Sequence, residues 1–377
     1  MRAYVFTDKA LQRHAGQFVW LSLDVEKTEN APYKKRYGVD ALPMFLVLDP
    51  KTEKAALRWV GGATAPQLQK ILADGLAAVH GGGRGVEAAL ASADRLYGEG
   101  NYDRAAAAYQ NALSSLPQDS SRYRRAIESL LYAQYQTKDY VGCAKVAREA
   151  YPRLRSTSSA ANVAASGLSC VLELPKEDAS RAELVSWLAA ASREIIAGAR
   201  KDLAADDVST VFETLAAERE DAKDEAGKKK VLEERAAFLE GAAARARTPD
   251  ARAVFDSHRL GTYLDLGEPE RAIGMLQASE RDLPDDYNPP ARLAVAYRAM
   301  KKYDEALAAS DRALAKAYGP RKLGILQTRA DIYKEKGDAV AARKTMEEAV
   351  ELAESLPEGQ RSEKAIASLK KKLEALP

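Results

Sequence analysis

Apolar residues recur with the period of an α-helix along almost the whole chain from residue 86 to residue 377. Short breaks divide this region into segments of roughly 12 to 20 residues, which is the length of ordinary globular helices. The breaks fall at Gly100-Asn101, Pro117, Pro152, Pro175, Thr248-Pro249, Gly267, Pro284, Pro289-Pro290, Gly319-Pro320, Gly337 and Pro357. Helices joined by short connections are usually antiparallel neighbours, so the pattern predicts a row of stacked helix pairs.

The middle of this region, residues 158–248, keeps the same helical rhythm. Its segments 180–200, 206–219 and 226–247 predict three long amphipathic helices, because each places apolar positions on one face and charged positions on the other. We interpret these helices as divergent pairs that continue the same row. A separate helical domain is the alternative that the pattern leaves open.

The first 79 residues mix strand and helix signals. Residues 18–23, Met44–Leu48 and Ala55–Val60 are short apolar runs that predict three strands, the first two of them buried. Residues 32–37 predict a short helix between the first two strands. A longer helix is predicted over 64–79, because Thr64 can cap its N-terminus through the side-chain hydroxyl.

Four glycines stand among the five residues Gly81-Gly82-Gly83-Arg84-Gly85. Such a run favours a flexible linker, because glycine has the largest backbone entropy. A phosphate-binding loop is the functional alternative. That loop needs a strand before it and Gly-Lys-Ser or Gly-Lys-Thr after it, and the sequence has neither.

A short motif recurs within the helical region. Tyr102-Asp103-Arg104-Ala105 is matched by Tyr303-Asp304-Glu305-Ala306, and related copies contain Ala272 and Ala342, 34 residues before and 36 residues after Ala306. Small residues at these positions let the two helices of a pair approach closely. The recurrence resembles the tetratricopeptide repeat, whose period is about 34 residues. A weaker copy contains Tyr140, Cys143, Ala147 and Ala150.

The resemblance to tetratricopeptide repeats implies a curved stack whose concave face holds a peptide or a partner helix. A protein or peptide is therefore the expected partner. The residues that line the groove stay open at this point, because they depend on the curvature of the stack. A generic helical array is the plainer alternative.

The order of elements over residues 1–79 resembles the later three quarters of a thioredoxin-like domain. The strand that ends in Leu23-Asp24-Val25-Glu26 is similar to the central strand of that family. Leu42-Pro43 corresponds to the family's cis-proline, so the resemblance implies that Leu42, Pro43 and Met44 shape a peptide groove. An ordinary trans proline at the start of a strand is the alternative.

The sequence departs from that family at its active site, because it contains no Cys-x-x-Cys motif. Redox chemistry of this family needs a low-pKa thiolate and a resolving thiol. As the sequence stands, the resemblance therefore implies a docking surface without catalysis. If sequence upstream of Met1 supplies the two cysteines, the protein is instead a thiol–disulfide oxidoreductase whose repeats recruit substrates, and whether it is an enzyme stays open.

Composition excludes some partners. Charged residues make up 30% of the chain, but the formal net charge is only +2, which gives no electrostatic reason to expect nucleic acid. No apolar run reaches the roughly 18 residues of a membrane span, so no membrane insertion is expected. The location is unknown. We expect a soluble, cytoplasmic protein as the sequence stands, and a periplasmic or exported one if a signal peptide lies upstream.

Two cysteines and three histidines carry the remaining candidate chemistry. Cys143 and Cys170 lie at similar distances from the predicted turn near residue 155, so a disulfide between antiparallel helices is conceivable. Two buried free thiols are the alternative, since cysteine often serves as a small core residue. The histidines fit no ligand spacing, so neither a metal nor a cofactor is expected.

The expected fold is mainly α, with a partial α/β thioredoxin-like N-terminal domain followed by an α-helical tetratricopeptide-type solenoid. The expected function is a protein–protein interaction scaffold. The predicted segments are a thioredoxin-like domain at 1–79, a linker at 80–85, repeats at 86–157, divergent repeats at 158–248, repeats at 249–357 and a capping helix at 358–377.

Overall fold

The protein is mainly α-helical, as predicted, and the described residues contain a single sheet of two strands. The computed structural model describes residues 5–39, 42–80, 85–198 and 203–376. The predicted glycine-rich linker lies outside these residues except for Gly85.

The chain forms two compact units. The first comprises Met1–Phe18 and Tyr37–Arg235, and the second comprises Val19–Arg36 and Ala236–Pro377. The segment Val19–Arg36 groups with the C-terminal helices although it precedes the first unit's strands in sequence. The units therefore divide the chain differently from the predicted segments, whose boundaries stay predictions.

A small hairpin and one helix form the N-terminal part of the first unit. Strands β1 (Met44–Leu48) and β2 (Ala55–Val60) pair antiparallel, with Met44 opposite Val60 and an irregular register between Val47 and Leu48. Both strands are confirmed at their predicted positions. Both are short apolar runs that contain β-branched or aromatic residues, which favour extended backbone.

A long helix covers this hairpin. Helix α2 (Ala65–His80) begins after Thr64, whose Oγ1 accepts a hydrogen bond from the Gln67 backbone N–H at 3.3 Å. The prediction of a capped helix here is confirmed. Its apolar face packs on the hairpin in one core. The buried members of that core are Val5, Val47, Leu57, Trp59, Ala63, Ala65, Leu68, Ile71 and Leu72.

The strand predicted at 18–23 is wrong. This segment is not a strand, and Val19 and Leu21 are 88% and 75% exposed. A strand is stable when neighbouring backbones satisfy its N–H and C=O groups. In the described part of the chain, the sheet consists of β1 and β2 alone. Residues 19–23 belong to the other unit, whose described residues offer no strand to pair with. The short helix predicted at 32–37 is confirmed as α1 (Ala31–Arg36).

Successive helices build the rest of the first unit. These helices are α3 (Val86–Gly98), α4 (Tyr102–Ser114), α5 (Ser121–Gln136), α6 (Tyr140–Leu154), α7 (Ala160–Leu172), α8 (Arg181–Ala197), α9 (Ala205–Asp221) and α10 (Glu225–Ala244). The three long helices predicted in the middle of the chain are confirmed as α8, α9 and α10. Helix α10 continues into the second unit.

The second unit contains the remaining helices. They are α11 (Pro249–Ala253), α12 (Asp256–Asp265), α13 (Arg271–Asp282), α14 (Asn288–Ala299), α15 (Tyr303–Lys316), α16 (Arg321–Lys336), α17 (Ala339–Ser355) and α18 (Glu363–Glu374). The recurring alanines Ala272, Ala306 and Ala342 are fully buried, as their predicted packing role requires. Among the described residues, no helix is both long and apolar enough to span a bilayer.

In the described parts of the chain, the same turn joins six of the helix pairs. In each, a residue with positive φ ends the first helix, and the next backbone N–H bonds to a carbonyl five residues earlier. This is the Schellman arrangement, which satisfies carbonyls at a helix C-terminus. The residues with positive φ are Gly100, Lys138, Lys223, Gly267, Lys301 and Gly337. Lys223 joins α9 to α10, so the same turn also occurs in the middle of the chain.

Candidate functional site

A cavity of about 240 Å³ lies in the first unit. Its walls come from β2 and the turn after it, and from helices α3, α4, α5, α7 and α9. Trp59, Tyr97 and Tyr132 supply aromatic surface, while Glu128 and Asp207 supply carboxyl groups. Cavities with mostly apolar walls and a few fixed polar groups are the usual form of ligand sites in proteins.

A buried ion pair borders this cavity, and of its two members only the arginine lines it. Arg125 on α5 donates through Nη1 to both carboxylate oxygens of Asp94 on α3, each at 2.8 Å. The side chains of Arg125 and Asp94 are 6% and 1% exposed. Asp94 also accepts from the Tyr109 hydroxyl at 2.6 Å and from the Arg58 backbone N–H at 3.3 Å. The network therefore ties β2 to three helices.

Electrostatics within the network fix its protonation. Burial and the neighbouring charge of Asp94 raise the pKa of Tyr109 well above its ordinary value, so its hydroxyl stays protonated and donates. Burial lowers the pKa of Arg125, but the charge of Asp94, the hydrogen bond to it and the neighbouring Tyr109 and Asp74 together leave the pKa raised. Removal of one member of such a pair leaves an uncompensated buried charge, at a cost of about 3–5 kcal/mol.

Arg58 closes one side of the cavity. Its guanidinium lies 5.3 Å from the centre of the Tyr97 ring, a cation–π distance. Its Nη2 donates to the Tyr37 carbonyl at 3.1 Å and to the Gly38 carbonyl. These contacts hold the arginine in one position, and the residue is only 4% exposed.

Two carboxyl groups face the cavity from opposite helices. Glu128 Oε2 accepts a hydrogen bond from Asn162 Nδ2 at 3.1 Å, whereas its buried Oε1 has no hydrogen-bond partner among the described residues. Burial raises the pKa of Glu128. Burial, together with the charges of Asp206 and Glu128, raises the pKa of Asp207 well above its ordinary value. The surroundings of Glu128 and Asp207 therefore favour the protonated carboxyl over the charged carboxylate.

The sequence did not single out these cavity residues, although it carried a signal for them. Arg125, Glu128, Ser129 and Tyr132 are spaced i, i+3, i+4 and i+7, so they form one polar stripe on α5. The neighbouring Ala126, Ile127, Leu130 and Leu131 are all buried. A polar stripe on a helix that is otherwise apolar indicates a site or a buried network.

The residues predicted to form a peptide groove lie elsewhere. The Leu42-Pro43 peptide bond is cis, and the Pro43 carbonyl accepts from the Gly61 N–H at 2.8 Å. Leu42 is 62% exposed, and neither it nor Pro43 nor Met44 lines the cavity. Two of the three are linked to residues that line the cavity: Pro43 through its bond to Gly61, and Met44 through a 3.0 Å contact between its Sδ and Arg58 Nη2.

The two cysteines are joined in the structure. Cys143 on α6 and Cys170 on α7 are fully buried, with their Sγ atoms 1.96 Å apart. The disulfide thus joins α6, the second helix of one pair, to α7, the first helix of the next pair. Neither cysteine lines the cavity. No cluster of His, Cys, Asp and Glu in the described parts of the chain has the arrangement of a metal site.

The second unit holds a short polypeptide segment of its own chain. Gln360 Nε2 donates to the carbonyls of Val25 and Lys27 at 3.0 and 2.9 Å. Arg321, at the start of α16, donates to Asp24 at 2.9 Å and also pairs with Glu26. Gln360 therefore binds the backbone of this segment, and Arg321 binds its acidic side chains.

Charge and hydrogen bonding reinforce that contact. Burial alone would raise the pKa of Asp24, but the Tyr318 hydroxyl and the charge of Arg321 hold it below its ordinary value. Burial and the bond to Asp24 raise the pKa of Tyr318 to about 12. The Arg321 guanidinium also lies 4.6 Å from the centre of the Tyr318 ring, so three side chains form one cluster.

Several solved structures are similar to this chain. A tetratricopeptide repeat protein from Parabacteroides merdae is 11% identical, and the match covers 77% of this chain and 98% of that chain with a TM-score of 0.43. BtubC from P. vanneervenii is 16% identical, with 74% and 96% covered and a TM-score of 0.36. The TPR2AB domain of yeast Sti1, in a pHSP90 complex, is 14% identical, with 77% and 98% covered and a TM-score of 0.29.

Sequence comparison assigns a family to one stretch. No curated protein matches the chain in sequence. Residues 287–355 match the model of the family described as Tetratricopeptide repeat. This stretch contains α14 to α17, which are two of the helix pairs predicted from the recurring alanines. Tetratricopeptide repeats are therefore present at residues 287–355.

Proposed function

We propose that this protein is a protein–protein interaction scaffold whose helical repeats hold a polypeptide partner. The observation that carries the proposal is the cavity bordered by β2, α3, α4, α5, α7 and α9, because two side chains that line it, Arg125 and Glu128, each have a buried polar atom without a hydrogen-bond partner among the described residues. Buried polar groups in folded proteins are normally hydrogen-bonded. A partner that enters the cavity would supply the missing bonds.

The second unit gives independent support. There, residues 24–27 are held by side-chain bonds to backbone carbonyls, which is how a receptor recognises a polypeptide regardless of its sequence. The tetratricopeptide match at 287–355 covers the helices that carry part of this contact. This unit thus supplies side chains that can hold the backbone of a short polypeptide turn.

The proposal extends to the N-terminal residues. The resemblance to thioredoxin-like domains supports a second docking surface near Leu42, Pro43 and Met44, with no catalytic role in the sequence as it stands. A thiol–disulfide oxidoreductase remains the alternative, and it depends on a Cys-x-x-Cys motif encoded in frame upstream of Met1. Reading the genomic sequence at that position decides between the two.

An array of immobilised peptides tests the scaffold proposal. The purified chain is expected to bind a subset of peptides saturably, and Tyr132→Ala should abolish this binding because it removes aromatic surface from the cavity wall. Tyr135→Ala is the matched control, since Tyr135 lies on the same helix, is 38% exposed and does not line the cavity. Equal loss in both variants, or no saturable binding to the wild-type chain, would overturn the proposal.

A further inference from the structure

The charges around the cavity do not balance. Arg125 is neutralised by Asp94, to which it is bonded. The remaining charged groups of the lining are Arg58, Glu128 and Asp207, so ionisation of both acids leaves one net negative charge. A buried charge is costly unless it is paired, and a ligand with one positive charge restores the balance.

Hydrogen-bonding groups make the ligand more specific. Glu128 Oε1 is a buried acceptor without a partner, and Arg125 Nε is a buried donor without a partner, among the described residues. Both side chains line the cavity, and Arg125 is 5% exposed. A ligand that carries a cationic donor close to a neutral acceptor would therefore complement these two groups. A polypeptide carries this pair at its amino terminus, where the ammonium group stands beside the first carbonyl.

Size and surface agree with such a group. The volume of about 240 Å³ corresponds to about eight water molecules at 30 Å³ each, which is room for one terminal residue and not for a folded chain. The rings of Tyr97 and Tyr132 line the same space. Aromatic faces attract ammonium groups, more strongly where water is excluded.

We propose that the cavity binds the free amino terminus of a polypeptide partner, with Glu128 and Asp207 receiving the ammonium group and Arg125 Nε donating to the first carbonyl. The inference rests on the proposed scaffold function and names the part of the partner that this site takes. It distinguishes an amino terminus from a lysine side chain, because the lysine ammonium has no carbonyl beside it.

Protonation links this binding to pH. The charged groups near the two acids are Asp206 on α9, Arg124 and Arg125 on α5, and Arg58 on β2, while α7 contributes the neutral Asn162 and Ser166. Because burial raises the pKa values of Glu128 and Asp207, ammonium binding must displace their protons. Affinity is therefore expected to rise as the pH increases from 5 to 7, with protons released on binding.

Calorimetric titration with three small probes tests the inference on the full chain. The probes are alanyl-phenylalanine amide, its N-acetylated form and Nα-acetyl-lysine amide. We expect the free dipeptide amide to bind at least tenfold more tightly than the other two, and at least threefold more tightly at pH 7 than at pH 5. Equal binding of the acetylated form, or absent binding of the free form at 10 mM, would overturn the inference.

Two isosteric variants locate the site. Glu128→Gln and Asp207→Asn should each lower the affinity for the free dipeptide amide at least fivefold and reduce the number of protons released on binding. Glu177 is an exposed acid that does not line the cavity, so Glu177→Gln should change neither quantity. Unchanged affinity in both cavity variants would contradict the inference. If array peptides still bind through Tyr132 when their amino termini are blocked, the scaffold proposal stands and the amino-terminal inference fails.

Discussion

Asp207 is a carboxyl group whose position in the fold lowers the stability of the folded protein at neutral pH. Burial and two neighbouring acids oppose its ionisation, so its pKa lies well above the ordinary value of about 3.9. Below that ordinary value the carboxyl is protonated in both the folded and the unfolded chain. As the pH rises, the unfolded chain ionises first, and the folded chain loses stability until the pH passes the raised pKa.

Asp207→Asn should therefore stabilise the protein in a pH-dependent way. The amide cannot ionise, so the gain in melting temperature should be small at pH 4.5 and larger at pH 7.5. Thermal unfolding followed by circular dichroism at both pH values measures it, with Glu177→Gln as the control that shows no trend. A gain of equal size at both pH values would show that ionisation of Asp207 is not the cause.

At the scale of elements, the sequence predicted the helix pairs because breaks and small residues are local signals. Gly100, Gly267 and Gly337 stand where the turn needs a left-handed residue, and sequence reasoning uses such glycines. Lys138 and Lys301 adopt the same conformation without any such signal. The wrong strand at 18–23 failed for a different reason, since a strand depends on neighbours that its own sequence does not reveal.

Glycine substitutions test the packing of neighbouring pairs. At Gly167 on α7, an added Cβ would lie 2.5 Å from the Ala147 Cβ and 2.9 Å from Leu188 Cδ2. Gly167→Ala should therefore lower the free energy of unfolding by about 1–3 kcal/mol. Gly274→Ala is the control, because nothing lies within 4 Å of its added Cβ, and it should stabilise by about 0.4–1 kcal/mol. Chemical denaturation measures both, and a stabilising Gly167→Ala would refute the close contact.

The bond between α6 and α7 gives a second prediction at this scale. A thiol count on denatured protein prepared without reductant should find no free thiol, because Cys143 and Cys170 are joined. The bond spans 27 residues, so its reduction should lower the free energy of unfolding by about 3–4 kcal/mol. Two titratable thiols would instead support the alternative of two buried free cysteines.

For the whole molecule, the order of the chain does not decide which segments belong together. Val19–Arg36 joins the unit of the C-terminal helices, with Arg321 bonded to Asp24 at a separation of 297 residues. Periodicity and motifs are local, so they could not predict this contact. The cavity was missed for the same reason, because Trp59, Tyr132 and Asp207 come from distant elements.

Gln360→Ala tests that long-range contact. The substitution removes two hydrogen bonds to the backbone of residues 25 and 27, so the amides of 24–30 should exchange hydrogen at least tenfold faster. Exchange measured by mass spectrometry reports this segment directly. Gln110→Ala, at an exposed position of α4, should leave it unchanged. Unaltered exchange in Gln360→Ala would mean that this glutamine does not hold the segment.

Photo-crosslinking tests most directly whether the repeats hold a polypeptide in the cavity. Benzoylphenylalanine replaces Tyr132 in one preparation and Tyr135 in another, and each is irradiated with a saturating peptide chosen from the array. The account predicts an adduct from position 132, at the peptide's first residues, and little from position 135. Equal crosslinking at the two positions, or an adduct at position 135 alone, would contradict it.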